Sequence, residues 1–366
     1  MVAKTVKQSG GGKTRQSGIE LLRIFAMLII ILHHVILFCS IDRLADPLDG
    51  AHAAVMAALC SFGKTGVAIF FLITGYFLCA RTTPPKPRRV FPIIRQAGFY
   101  WLASLVLCLC FFPNLLPFSF PPGGMWPSFL EIFTAGSYWF IGAYVLLMIL
   151  SPQIKKMLDS LSDKELTRMC LVIAIVVAAA TEVMRLTRLG GGITVFVFPS
   201  AFTYTLIGYT VRRREKEIKS CGWAVVAILV GAFLIAITPL ISTFYYNHGF
   251  GDVSSLFCRD QATGTMLVSI GLLIVFSRMK WQNRFVNYVA SLTLGIYLIH
   301  NNPFITGVLI HATGVAWKVY DLMYEQKLWL GVPGVIALAV GVFVVCGAIE
   351  ALRRLIVRII AKVCVI

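Results

Sequence analysis

Apolar residues along this chain gather into runs of about 20, the length an α-helix needs to cross a bilayer core. Ten runs are read, over about 19–39, 62–80, 93–112, 136–154, 168–187, 193–211, 222–244, 260–277, 286–309 and 329–352. The pattern predicts an all-α, polytopic membrane helix bundle of about ten transmembrane helices. The first eighteen residues are polar and include Gly10, Gly11 and Gly12. They are expected to form a disordered cytoplasmic tail, leaving 19–366 as one membrane domain. No small-residue cleavage site follows the first apolar run, which marks it as an uncleaved helix and not a signal peptide.

Composition strengthens this reading. Hydrophobic residues make up 58% of the 366 and charged residues 13%, where a soluble domain carries about a quarter charged residues. The net charge of +17 invites a nucleic-acid partner, but its distribution argues against one. Basic residues sit in short clusters between runs: Lys4 to Arg15, Arg81 to Arg95, Lys155 to Arg168, Arg212 to Lys219, Arg278 to Arg284 and Arg353 to Lys362. Placed on one side, as the positive-inside rule requires, they put both termini in the cytoplasm. The ten cysteines lack metal-like spacing and lie mostly inside apolar runs, so they read as small core residues.

The first run departs from its own pattern. It keeps Glu20, Arg23, His33 and His34, and ionisable groups are costly in hydrocarbon. Arg23 and His34 are eleven positions apart, very nearly three helical turns, so they share a face about 16 Å apart along the axis. Glu20 is one turn from Arg23 and can pair with it, while His33 points off to the side. An anchoring arginine with packing histidines is the plain alternative; an arginine and a histidine on one face, with an acid beside them, favour a site.

Other polar positions change the picture less. Gly66 and Gly75 allow close helix approach, and Thr74 can satisfy a backbone carbonyl. Residues 51–60 suit a short surface helix. The basic, proline-rich stretch 81–95, with Arg88, Arg89 and Arg95, fits anionic lipid head groups or a phosphorylated cofactor. Trp139 belongs to an aromatic belt or a stacking platform for a sugar ring. Glu182 and Arg185 are a turn apart and read as a structural pair. Segment 113–130 reads as an outer loop rich in Pro, Phe and Gly, and the outer loop 245–259, with Tyr245, Tyr246, Asn247, His248 and Asp252, is polar and aromatic enough to touch an extracellular acceptor. In the ninth run Tyr297 and His300 are a turn apart, with Asn301 beside them, and together with His34 they suggest a buried polar chamber. There is no Gly-rich phosphate loop, no Gly-x-Ser-x-Gly elbow and no metal-spaced Cys/His set, so no metal is expected.

Several of these stretches, in this order, resemble acyltransferase family 3, the integral-membrane O-acyltransferases. Leu22-Arg23 with His34 resembles the family's arginine–histidine motif. Gly66-Val-Ala-Ile-Phe-Phe-Leu-Ile-Thr-Gly75-Tyr76 is similar to its second-helix pattern, with Thr74 where the family often has Ser. Lys86-Pro-Arg-Arg89 and Arg95 resemble its cytoplasmic arginine motif, although Lys86 takes the first place of the usual Arg-x-x-Arg. Tyr138-Trp139-Phe140 and Gly295-Ile-Tyr297-Leu-Ile-His300 also look like family signatures.

The resemblance implies transfer of an acyl group, commonly acetyl, from cytoplasmic acyl-coenzyme A to a hydroxyl of a cell-wall or surface saccharide. It further implies a bacterial plasma membrane. Arg23, Arg88, Arg89 and Arg95 would hold the coenzyme A phosphates. His34 would act as general base or acylated nucleophile, with Arg23, three turns back on the same helix, and Glu20, one turn beyond it, completing the catalytic set. Trp139, Tyr297, His300 and Asn301 would meet the acceptor. Some relatives carry an extracytoplasmic hydrolase-like domain; none is seen before Ile366, so the chain is expected to act alone on its acceptor or to pass the acyl group to a separate transferase, with membrane lipid as its other partner. The competing class is a flippase or exporter, which the buried His, Arg and Glu would suit as a proton path.

Overall fold

The computed structural model describes residues 16–39, 50–83, 85–113, 138–187, 197–248, 253–306 and 313–363. It is 84% helical and contains no strand among the described residues. Residues 1–15 of the expected tail lie outside them, as do the expected outer loop over 114–130 and part of the expected acceptor contacts, 249–252.

In chain order the helices are α1 Ser17–Cys39, α2 Gly50–Ser61, α3 Gly63–Cys79, α4 Phe91–Phe111, α5 Trp139–Ser160, α6 Asp163–Thr187, α7 Val197–Arg213 and α8 Gly222–Asn247. They continue with α9 Thr263–Ser277, α10 Arg284–Ser291, α11 Thr293–His300, α12 Val315–Tyr324 and α13 Leu328–Val363. Among the described residues seven helical stretches are long and apolar enough to cross a membrane, at 17–39, 52–79, 87–111, 139–160, 163–187, 222–247 and 328–363. The chain is a multi-pass membrane protein. The predicted runs over 193–211 and 260–277 are occupied by the shorter α7 and α9.

Three features depart from the sequence reading. The run over 286–309 is interrupted at Leu292 and again at Asn301-Asn302-Pro303. Pro303 has no N–H to continue the ladder, and Asn302 N turns back to Ile299 O at 3.2 Å. That frees Leu298 O, which accepts the Tyr138 hydroxyl at 2.5 Å. Non-helical backbone inside a membrane bundle is tolerated where the protein satisfies it in this way. Helix α2 forms as expected and packs one side inward: Met56 is fully buried, in a cluster with Ile36, Met323 and Val335. Helix α12 was not foreseen; it starts from Gly314, whose φ of 63° suits glycine. Glu182 makes no ion pair with Arg185 among the described residues. Its Oε1 accepts from Thr263 N at 2.9 Å instead, satisfying one of the free amides at the start of α9.

The core is organised by glycine contacts between α3 and α7. A Cβ on Gly75 would overlap the Thr205 carbonyl, and one on Gly208 would overlap the Leu72 carbonyl. The two backbones therefore touch reciprocally, the small-residue mode of membrane helix packing. Thr74 Oγ1 donates to Phe70 O at 2.9 Å, as expected. Helix α1 runs antiparallel to α3. Gln16 and Tyr76 meet at one end; His33 and Gly63 meet at the other.

Candidate functional site

A cavity of about 1100 Å³ runs beside α1 and α3 from one of these ends toward the other. It is slightly larger than the roughly 300–1,000 Å³ of typical small-molecule sites. Among the described residues, five cationic side chains line it, Arg23, Lys64, Arg81, Arg212 and Arg354, against the single carboxylate of Glu20. Its electrostatic preference is for an anion.

Four of the cations gather at the end where α1 begins. Arg23 Nη1 donates to Glu20 Oε2 at 2.7 Å, one turn away as expected, and Glu20 is buried. Arg212 donates to the Tyr76 hydroxyl at 2.7 Å and pairs with Glu215. Arg354 is oriented from α13. Its Nε donates to Glu350 Oε1 at 2.5 Å, and its terminal nitrogens donate to Ser291 Oγ and O at 2.8 and 2.6 Å. Glu350 is fully buried and also accepts from Arg353, from Tyr100 at 2.5 Å and from Gln96. Arg81 has no ion-pair partner among the described residues. Burial, and next the Arg89 guanidinium, lower its pKa, so an anion placed there would favour its charged form.

About three turns along α1, His34 lines the same cavity. His300 Nδ1 lies 2.8 Å from Ile296 O. A carbonyl only accepts, so this nitrogen carries the proton and a neutral His300 presents a bare Nε2. His34 Nδ1 is 3.0 Å from that Nε2 and donates to it, which leaves the lone pair of His34 on its own Nε2. The chain Ile296 O, His300, His34 thus fixes one tautomer, the arrangement a base or nucleophile requires. The remaining end of the cavity carries Lys64 and Trp139. The Lys64 ammonium sits 5.4 Å above the indole and 3.5 Å from Asp260 Oδ2.

A family profile described as an acyltransferase domain matches residues 16–351. The chain belongs to acyltransferase family 3. Comparison with curated proteins and with solved structures gave no match. This membrane protein is accordingly an enzyme that transfers acyl groups, and its cavity joins the motif residues Arg23 and His34 of one helix.

The acyltransferase's other expected site residues divide. Trp139, Tyr297 and Asn301 line the cavity with Glu20, Arg23 and His34. His300 stands behind His34 and outside the lining. Asn301 Nδ2 donates to the Tyr297 hydroxyl at 3.3 Å. Arg88, Arg89 and Arg95 are exposed and outside the lining. In their stead the cavity takes Arg81, Arg212 and Arg354, which come from three separate segments. Sequence reasoning placed these in basic clusters without singling them out; only tertiary contact brings them together. It also turned His33 aside, yet His33 lines the cavity too.

Proposed function

We propose that this acyltransferase takes an acyl group, acetyl in the simplest case, from cytoplasmic acyl-coenzyme A and transfers it to a saccharide hydroxyl at the outer face of a bacterial plasma membrane. The observation that carries the reading is the single cavity joining an arginine cluster, an oriented histidine and an aromatic mouth. In this reading the arginine end faces the cytoplasm, and Arg23, Arg81, Arg212 and Arg354 hold the phosphates of the donor. The donor's pantetheine arm follows α1, about 16 Å by helix rise, to bring the thioester to His34. Binding energy from the distant phosphates then positions the reacting carbonyl. His34 Nε2 acts on that carbonyl, as base toward the attacking hydroxyl or as nucleophile. The acceptor enters past Lys64 and Trp139, where the indole and the nearby polar groups suit a sugar.

A flippase would use the same histidines without altering its cargo. The test is release of coenzyme A from acetyl-coenzyme A by the purified protein in lipid, for wild type, His34→Ala and Arg23→Ala. Release that both substitutions abolish supports the reading. Absence of binding and turnover with acetyl- and longer acyl-coenzyme A would transfer support to the carrier.

A further inference from the structure

We propose that His33 is a second catalytic residue, the base for the acceptor hydroxyl, while His34 carries the acyl group between donor and acceptor. This rests on the acyl-transfer reading above. His33 Nδ1 lies 2.7 Å from Cys60 O. The carbonyl can only accept, so Nδ1 holds the ring proton and Nε2 of the neutral ring bears the lone pair. That nitrogen has no hydrogen bond among the described residues. The ring lines the same cavity as His34, with ring centroids 5.4 Å apart. It stands toward the aromatic mouth, where Cys60 lies in the last turn of α2 and Gly63 begins α3, next to Lys64. A Cβ on Gly63 would collide with the imidazole, so the corner between α2 and α3 leaves room for this ring.

Two imidazoles with the same tautomeric arrangement answer a chemical need. When His34 Nε2 attacks the thioester carbonyl, a C–N bond forms, the C–S bond breaks and coenzyme A leaves as its thiolate, which takes a proton from water at the arginine end. The positive charge on acylated His34 is shared with His300 across their 3.0 Å bond. His34 Nε2 is then blocked and cannot take a second proton. The attacking hydroxyl forms the new C–O bond, its proton passes to His33 Nε2, and the C–N electron pair returns to His34. His33 then releases the proton to water at the aromatic mouth. Among the described residues lining the cavity, His33 is the remaining imidazole. The direct single-step alternative needs one base, and His33 would then serve only to hold Cys60 O.

His33→Asn separates these roles, because the amide Nδ2 overlies Nδ1 and keeps a donor for Cys60 O while removing the base. The purified full chain in lipid is given acetyl-labelled acetyl-coenzyme A. It is then chased with a saccharide digest from the envelope of the organism that makes the protein. In wild type the label should pass to the digest. In His33→Asn, with unfolding temperature unchanged, about one label per chain should accumulate on His34 and transfer should fall by 100-fold or more, the scale of general-base loss. His33→Asn combined with His34→Ala should take no label. Transfer at the wild-type rate in His33→Asn would overturn the proposal and make His33 structural. Loss of both labelling and coenzyme A release in that variant would overturn the division of roles. Inactivity of the wild type itself would overturn the acyl-transfer reading beneath it.

Discussion

His300 touches His34 and not the cavity, so replacing it probes orientation apart from binding. In His300→Leu the His34 Nδ1–H loses its acceptor at 3.0 Å. A buried donor left unsatisfied costs about 1–3 kcal/mol. That penalty falls on the one tautomer with a free Nε2, and at about 1.4 kcal/mol per decade it reduces the competent population roughly 5- to 150-fold. Turnover of acetyl-coenzyme A in lipid should fall by that factor. Donor KM should hold steady, because none of the arginines is disturbed. His300→Gln places a carbonyl oxygen near the lost Nε2 and should recover most of the rate. A His300→Leu enzyme that turns over like wild type, or one whose loss is entirely in KM, would refute an orienting role for His300.

Other consequences concern the charged and close-packed positions. Arg81→Ala and Arg212→Ala should raise donor KM, each by about 10-fold or more for a charged hydrogen bond of roughly 1.5–3 kcal/mol, whereas Arg88→Ala, Arg89→Ala and Arg95→Ala should leave it within about twofold; steady-state kinetics at fixed ionic strength compares them. Glu350→Ala strands Arg353 and Arg354, and breaking such a buried network costs about 3–5 kcal/mol, to be seen as a lower unfolding temperature in lipid or detergent. Gly75→Ala forces a methyl into the Thr205 carbonyl and should cost about 1–3 kcal/mol of stability; an unfolding temperature equal to wild type would contradict the α3–α7 packing.

Much of the helical pattern could be read directly, because in a bilayer apolar length and helix are nearly the same constraint. The expected runs met helices in the described regions, and the three-turn spacing of Arg23 and His34 held them to one cavity. What escaped were features decided by contacts between distant segments. The break at Asn301-Asn302-Pro303 depends on the Tyr138 hydroxyl donating to the freed Leu298 carbonyl. Arg354 reaches the cavity because Glu350, itself fixed by Tyr100 and Gln96, orients it from α13. Adjacent residues on a helix differ by about 100°, which turned His33 aside in a single-face reading; a wide cavity shared by α1 and the start of α3 admits both rings. Helix α12 is too short and mixed to register as a span.

The central claim is transfer of an acyl group from one mouth of the cavity to the other. Its most direct test seals acetyl-labelled acetyl-coenzyme A inside vesicles that carry the protein and supplies the envelope saccharide digest only outside. The account predicts label on the outer saccharide, with coenzyme A retained in the lumen and no labelling in His34→Ala vesicles. Labelling that occurs only when donor and saccharide share one compartment would contradict it.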